Sequence, residues 1–214
     1  MKKILLSLSA LALLGTAANA ELLVGVEYSA SSSMTLTNEY SASGNTYDHD
    51  FSYQPIMFKV GLGEPGEKYM YLYYQSTEKD YTEGGAAANP LNEIGYDYVG
   101  QFDVGVKNLS PFWQFGAAYG WEDGVYADAD SRASIALKIG AGASYYVLPQ
   151  VELVAGANYQ YRIYQDVDYI STVQSSNDSG VNIFIGVNVW PFATGSTTPD
   201  AGSFEEVTGD TGAY

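Results

Sequence analysis

The sequence predicts an all-β fold, an eight-stranded antiparallel transmembrane β-barrel with short periplasmic turns and long extracellular loops. Three observations carry that expectation. An export signal opens the chain, eight later segments alternate apolar and polar residues with period two, and the connections between them alternate short and long.

Lys2 and Lys3 form a basic head, Ile4 to Leu14 an apolar stretch broken only by small residues, and Ala18-Asn19-Ala20 a small-x-small cleavage site. Those are the three parts of a secretory signal peptide. The apolar run is shorter than the roughly 20 residues a membrane-spanning helix needs. Residues 1–20 are therefore read as the signal, cleaved between Ala20 and Glu21. No second long apolar run follows, so a membrane crossing has to be made by strands. Cysteine is absent, which leaves backbone pairing and burial to hold an exported chain together.

Outer-membrane strands are segments of about ten residues, apolar towards lipid and polar towards the lumen. The first segment sets Leu22, Val24, Val26 and Tyr28 against Gly25 and Glu27. The second sets Ile56, Phe58, Val60 and Leu62 against Lys59, Gly61 and Gly63. The third, Tyr69 to Gln75, is aromatic on both faces and has no readable phase. The fourth places Tyr96, Tyr98, Phe102, Val104 and Val106 opposite Asp97, Gln101, Asp103 and Lys107. In the fifth, Trp113, Phe115, Ala117, Tyr119 and Trp121 oppose Gln114, Gly116, Ala118 and Gly120.

The sixth has Ile135, Leu137, Ile139, Ala141 and Tyr145 against Ser134, Lys138, Gly140, Gly142 and Ser144. The seventh has Val151, Leu153, Ala155, Ala157, Tyr159 and Tyr161 against Glu152, Gly156, Asn158, Gln160 and Arg162. The eighth has Val181, Ile183, Ile185, Val187 and Val189 against Asn182, Gly186 and Asn188.

Short turns are expected at 64–67, 108–111 and 147–150, and long polar loops over 31–52, 76–92, 122–132 and 163–180. Short and long connections alternate when one rim faces the periplasm and the other faces outside. The first long loop itself alternates around Ser43-Gly44-Asn45, which predicts a hairpin rising above the membrane.

A soluble β-sandwich or small barrel also has alternating strands. Its water-facing side, however, would carry many charges, whereas the polar face here is mostly Gly, Ser, Asn and Gln. Aromatic residues also gather towards strand ends. Tyr28, Tyr96, Tyr98, Tyr119, Trp121, Tyr159 and Tyr161 fall near the long loops, and Tyr69, Trp113 and Tyr145 near the short turns. Two such girdles mark two membrane interfaces.

With the closing segment Gly186-Val187-Asn188-Val189-Trp190-Pro191-Phe192, this pattern resembles the small outer-membrane β-barrel superfamily that includes the OmpA transmembrane domain and OmpX. The resemblance covers residues 21–192. It implies a bacterial outer-membrane location, contact with outer-membrane lipid, and a final strand engaged by the barrel-insertion machinery. The chain departs from the pattern in two ways. Residues 193–214 follow the terminal aromatic, and strand parity would turn both Trp190 and Phe192 inward unless Pro191 breaks it. The tail is rich in Gly, Thr, Asp and Glu and reads as disordered, acidic and periplasmic.

The inward charges are the first candidate site: Glu27, Lys59, Asp97, Asp103, Lys107, Lys138, Glu152 and Arg162. Eight strands enclose an interior only wide enough for side chains, and ions buried there have to pair. The expected result is a polar plug, with a gated narrow pore as the competing reading. His49 is the only histidine. With Asp48, Asp50 and Ser52 nearby it invites comparison with lipid-modifying barrel enzymes, but sequence supplies no triad geometry. Glu122, Asp123, Asp128 and Asp130 in one loop, and Asp166, Asp168 and Asp178 in another, lack the spacing of an EF-hand calcium loop and read as a hydrated anionic rim.

The balance of 25 acidic to nine basic residues argues against a nucleic-acid partner, which needs basic surface. The expectation is a non-catalytic structural or surface-interaction barrel with a plugged polar lumen and neither cofactor nor metal. Any ligand would be met by the long loops. A low-conductance, porin-like channel and a lipid-modifying enzyme are the alternatives.

Overall fold

The computed structural model describes residues 20–82, 90–126, 129–169 and 172–193. All secondary structure among them is strand: β1 (Glu21–Tyr40), β2 (Asn45–Ser52), β3 (Ile56–Glu64), β4 (Lys68–Thr77), β5 (Asp80–Tyr81), β6 (Leu91–Gln101), β7 (Leu109–Tyr126), β8 (Ala129–Leu148), β9 (Val151–Tyr164), β10 (Val167–Tyr169) and β11 (Thr172–Val189). Eight of these close into a ring in the order β1-β3-β4-β6-β7-β8-β9-β11, and β11 returns to pair with β1 from Val189 opposite Val24 to Gln174 opposite Tyr40. Every pairing is antiparallel. Closure removes the sheet edges, which is what a strand-built membrane span requires, because lipid offers no hydrogen bonds to free backbone groups. β2, β5 and β10 lie outside the ring and extend its long-loop end.

Alternation dictates which way each wall faces. Ile135, Leu137 and Ile139 stand exposed on β8 while Ser134, Ala136 and Lys138 between them are buried. The same apolar-out, polar-in order holds on β3, β7, β9 and β11. On β1 it changes phase once. A bulge between Ser29 and Ser31 shifts the register, so Glu27 and Ser29 point inward below it, and Met34, Leu36 and Asn38 point inward above it. One extra residue in one strand flips every later side chain.

β4 gains the phase that its sequence hid. Tyr69, Tyr71, Tyr73 and Gln75 are buried in the lumen, and Tyr74 is exposed. Tyr69 therefore leaves the expected short-turn girdle. The inward glycines opposite make its orientation possible: Gly63 faces Tyr69, Gly61 faces Tyr71 and Gly95 faces Tyr73. A Cβ at any of the three would strike the facing tyrosine. The other girdle residues point outward or lie partly exposed, and three expose a large part of their rings at the long-loop end (Tyr119 50%, Tyr159 48%, Tyr161 41%). Tyr98 changes rim: its ring packs at 5.5 Å on both Trp113 and Phe115, towards the short turns.

The fourth segment ends early. β6 stops at Gln101, and 102–108 form an exposed turn before β7 begins at Leu109. The expected 108–111 turn is thus displaced, with Ser110 and Pro111 already in β7. The cause is local. The Asp103 carboxylate accepts the Gly105 N–H at 2.7 Å, and Gly105 (φ 70°) and Asn108 (φ 66°) take the left-handed conformation that stops a strand. Asp103 and Lys107 are consequently exposed at the short-turn rim, not in the lumen.

The long connections are mostly strand. β1, β7, β8 and β11 run 18 to 20 residues, about twice what a tilted strand needs to cross a bilayer. The hairpin expected around Ser43-Gly44-Asn45 is β1–β2, with Gly44 at φ 64° in its turn.

At the other end Val189 closes β11, Trp190 is fully buried in the lumen, and Phe192 is 67% exposed. Pro191 breaks the alternation between them. Ala193, the first residue assigned to the tail, is tucked beneath the barrel with its carbonyl accepting from Gln150 Nε2 at 2.9 Å. The signal residues 1–19 and the tail residues 194–214 lie outside the described residues.

The displaced turn changes which substitutions report on facing. Ile139, 65% exposed on β8, sits between the two aromatic belts. Ile139→Arg should cost roughly 2–4 kcal/mol in refolding equilibria in lipid vesicles, whereas Val104→Arg, in the turn, should cost at most about 1 kcal/mol. Equal costs would mean that Val104 also stands in the hydrocarbon layer.

The lumen as candidate functional site

The interior is filled from end to end by side chains on alternate strand positions. Near the short turns, Glu152 is fully buried and forms no ion pair among the described residues. Its carboxylate accepts instead from Gln101 Nε2 at 2.7 Å, Asn188 Nδ2 at 2.8 Å and Trp190 Nε1 at 3.2 Å. Tyr146 donates to Gln101 Oε1 at 3.0 Å and accepts the Gly66 N–H at 2.8 Å, which ties the turn below to this floor. Three neutral donors can hold a carboxylate that lacks an ion partner.

Above the floor, Lys59 Nζ meets Glu27 Oε2 at 3.1 Å and lies 4.8 Å from the Tyr71 ring. Lys138 Nζ meets Asp97 Oδ2 at 2.9 Å and lies 4.0 Å from the Tyr73 ring. Both pairs are buried. Asp97 fits because its cross-strand neighbour is Gly116, where a Cβ would collide with the carboxylate. Phe112 and Phe184 fill the lumen on the opposite side, over Gly142 and Gly156.

Higher still, Arg162 pairs with Glu93 and lies 3.5 Å from Asp178. Glu93 also accepts from Tyr73 Oη at 2.5 Å and from Gln75 Nε2 at 3.1 Å. At the long-loop end Lys79 pairs with Glu122 and donates to Tyr164 Oη at 2.8 Å. Tyr164 in turn hydrogen-bonds Asp178, and the Arg132 guanidinium stacks 4.6 Å from its ring. Burial lowers the pKa of Lys79, with Glu122 beside it acting in the opposite direction.

Of the eight charges expected inside, the lumen thus holds Glu27, Lys59, Asp97, Lys138, Glu152 and Arg162, and leaves out Asp103 and Lys107. Sequence reasoning missed Glu93, whose inward position follows from the parity of Asp97 on the same strand. It missed Lys79, which continues the inward parity of Gln75 and Thr77, and Arg132, which continues that of Ser134 on β8, because both stretches were taken as loop. It also assigned Glu122 and Asp178 to a hydrated rim, but both are buried partners of cations. Asp123 and Asp166 are exposed, while the side chains of Asp128, Asp130 and Asp168 lie outside the described residues. No group of three or more His, Asp or Glu side chains that could hold a metal occurs among the described residues.

His49 lies on β2, paired with Leu36. Alternation puts Asp48 and Asp50 on the opposite face, where Thr37 and Thr35 donate to them at 2.8 Å each. The strand therefore separates the imidazole from the carboxylates a catalytic relay would need.

Removing one member of a buried pair strands the other charge, at a cost of about 3–5 kcal/mol, while replacing both by apolar groups is far milder. Lys138→Met should destabilise by that amount in urea refolding. Adding Asp97→Leu should restore most of it. A double variant no more stable than the single would mean that the two groups do not depend on each other.

No protein-family description and no curated protein matches the chain. Among solved structures the fold is similar to Neisserial surface protein A (NspA), with 19% identity and a TM-score of 0.47 over 80% of this chain and 99% of that one. It is similar to the N-terminal β-barrel domain of Pseudomonas aeruginosa OprF, with 16% identity and a TM-score of 0.39 over 78% and 99%. Ail of Yersinia pestis shares 12% identity, with a TM-score of 0.28 over 77% and 99%. These likenesses concern fold alone. By its closed ring, its apolar exterior and its polar interior, the chain is an eight-stranded transmembrane β-barrel of the bacterial outer-membrane type.

Proposed function

We propose that this barrel is a non-catalytic structural or surface-interaction protein of the outer membrane, with an interior that serves as a plug. The observation that carries the reading is the unbroken succession of partnered side chains along the lumen. Glu152 with its donors, the Lys59–Glu27 and Lys138–Asp97 pairs, and the Arg162–Glu93 cluster follow one another, with the rings of Tyr69, Tyr71 and Tyr73 beside them. Ions crossing such an interior would have to separate buried pairs one after another, each time stranding a buried charge at a cost of several kcal/mol. What remains free to meet a partner is the long-loop end, where the strands project beyond the membrane. The separation of His49 from Asp48 and Asp50 weighs against the lipid-modifying alternative.

Planar-bilayer recording tests the plug. The wild-type protein should show little conductance. Replacing Lys59 and Lys138 together by Ser removes two long side chains and leaves Glu27 and Asp97 unpaired, so openings should become more frequent and prefer cations. Steady large channels from the wild-type protein would defeat the reading in favour of a pore. A silent double variant would assign the block to the tyrosines and the Arg162 cluster.

A further inference from the structure

The short-turn rim is not uniform around the ring. Where β1 begins and β3 turns into β4, it is built of Glu21, Glu64, Glu67 and Lys68, and Leu22, Leu62 and Met70 next to them are only partly exposed. The other side of the rim is apolar. The 102–108 turn presents Phe102, Val104 and Val106, the end of β8 presents Val147 and Leu148, and the chain beyond β11 presents Phe192. Their exposure is that of the lipid-facing wall: Val104 stands at 49% and Val60 at 50%.

The three segments are neighbours. The Asn108 carbonyl accepts the Tyr146 N–H at 2.9 Å, which joins the 102–108 turn to the end of β8. The Gln150 carbonyl accepts the Trp190 N–H at 2.8 Å, and Gln150 Nε2 donates to the Ala193 carbonyl, so the next turn is joined to the chain around Phe192. The six side chains therefore share one side of the rim. A contiguous patch of large apolar side chains is seldom left to water.

Two features indicate what covers it. The patch has no boundary towards the membrane: Val147 continues the outward parity of Tyr145 on β8, and Leu153 and Val189 stand exposed beside the following turn and the strand end. A partner from the periplasm could cover only part of a surface that runs on into the bilayer. The charges of the 102–108 turn fit the same neighbour. Its carboxylate, Asp103, accepts the Gly105 N–H, whereas Lys107 is exposed. An ammonium among apolar side chains suits a phospholipid headgroup layer, where the basic group reaches phosphate and the apolar groups enter the acyl boundary.

We propose that this side of the rim is seated in the inner leaflet, with Val104, Val106, Leu148 and Phe192 at the boundary between phospholipid headgroups and acyl chains. The Glu64–Lys68 side stands in water. The depth is interfacial, short of the hydrocarbon layer in which an arginine at 104 would be costly. The seating concerns the outside of the barrel and holds whether or not the lumen conducts.

The absence of cysteine lets single thiols report depth directly. Val104→Cys, Leu148→Cys and Glu67→Cys, all at exposed positions, are each labelled with an environment-sensitive nitrobenzoxadiazole group. The protein is purified from outer membranes and reconstituted into phosphatidylethanolamine–phosphatidylglycerol vesicles, with folding checked by heat-modifiable gel mobility. Fluorescence is quenched by iodide, present inside and outside the vesicles, and in parallel by a lipid carrying a nitroxide close to its headgroup. Labels at 104 and 148 should emit to the blue of the label at 67, show roughly threefold less iodide quenching, and be quenched more strongly by the nitroxide lipid. Three labels that behave alike, whether all in water or all in lipid, would overturn the proposal. Protection of 104 and 148 from iodide without quenching by the nitroxide lipid would overturn it too, because a second copy or another part of the chain would then cover the patch.

Discussion

A ring of eight strands encloses a space only as wide as the side chains that point into it, and most of this structure follows from that narrowness. Water has too little room to solvate an ion there, so every charge must find a partner across the lumen or a set of neutral donors. Lys59 and Lys138 take carboxylates, and Glu152 takes two amides and an indole. Long side chains in a narrow tube also need short ones opposite them. Hence the glycines at 61, 63, 95 and 116, each facing a tyrosine or a carboxylate that a Cβ would displace. Charge pairing and steric complementarity are here two results of one diameter.

The exterior follows a different rule. Its side chains need only be apolar between two aromatic belts, which is why the lipid face was readable from parity in six of the eight segments. β4 resisted because tyrosine suits both an interface and a polar lumen. Its phase lay in the neighbouring strands, in Gly61 and Gly63, and reading it requires knowing the register first. The fourth segment misled for a local reason. Val104 and Val106 continue the alternation of β6, but the Asp103–Gly105 turn uses side-chain chemistry that period two does not register.

The ion pairs were legible as residues and not as pairs. Parity assigns Lys138 and Asp97 to the lumen, but their meeting depends on strand order and tilt around the ring. Arg162 found Glu93, 69 residues away in the chain. Lys79 continues the inward parity of Tyr73, Gln75 and Thr77 past the end of β4, and it was missed together with that strand, whose phase the aromatic residues on both faces concealed. Of the loop-side extensions the β1–β2 hairpin was expected, whereas those of β7, β8 and β11 were missed, because Ser, Asn, Asp and Gly are frequent in them and read as loop unless a closed ring holds them in register.

The placement of the basic residues has a consequence for the outer surface. Apart from Lys2 and Lys3, the chain's cations are Lys59, Lys79, Arg132, Lys138 and Arg162, buried inside, and Lys68 and Lys107, exposed at the short-turn rim. The lumen thus uses the positive charge that a surface would otherwise display. Towards the outside the molecule offers carboxylates with no lysine or arginine among them. Polyanions are repelled by such a face, and close contact with a negatively charged neighbour requires divalent counter-ions between the two. Its adhesion to any anionic surface should therefore be lost on chelation, whereas cationic partners should bind directly and release with salt.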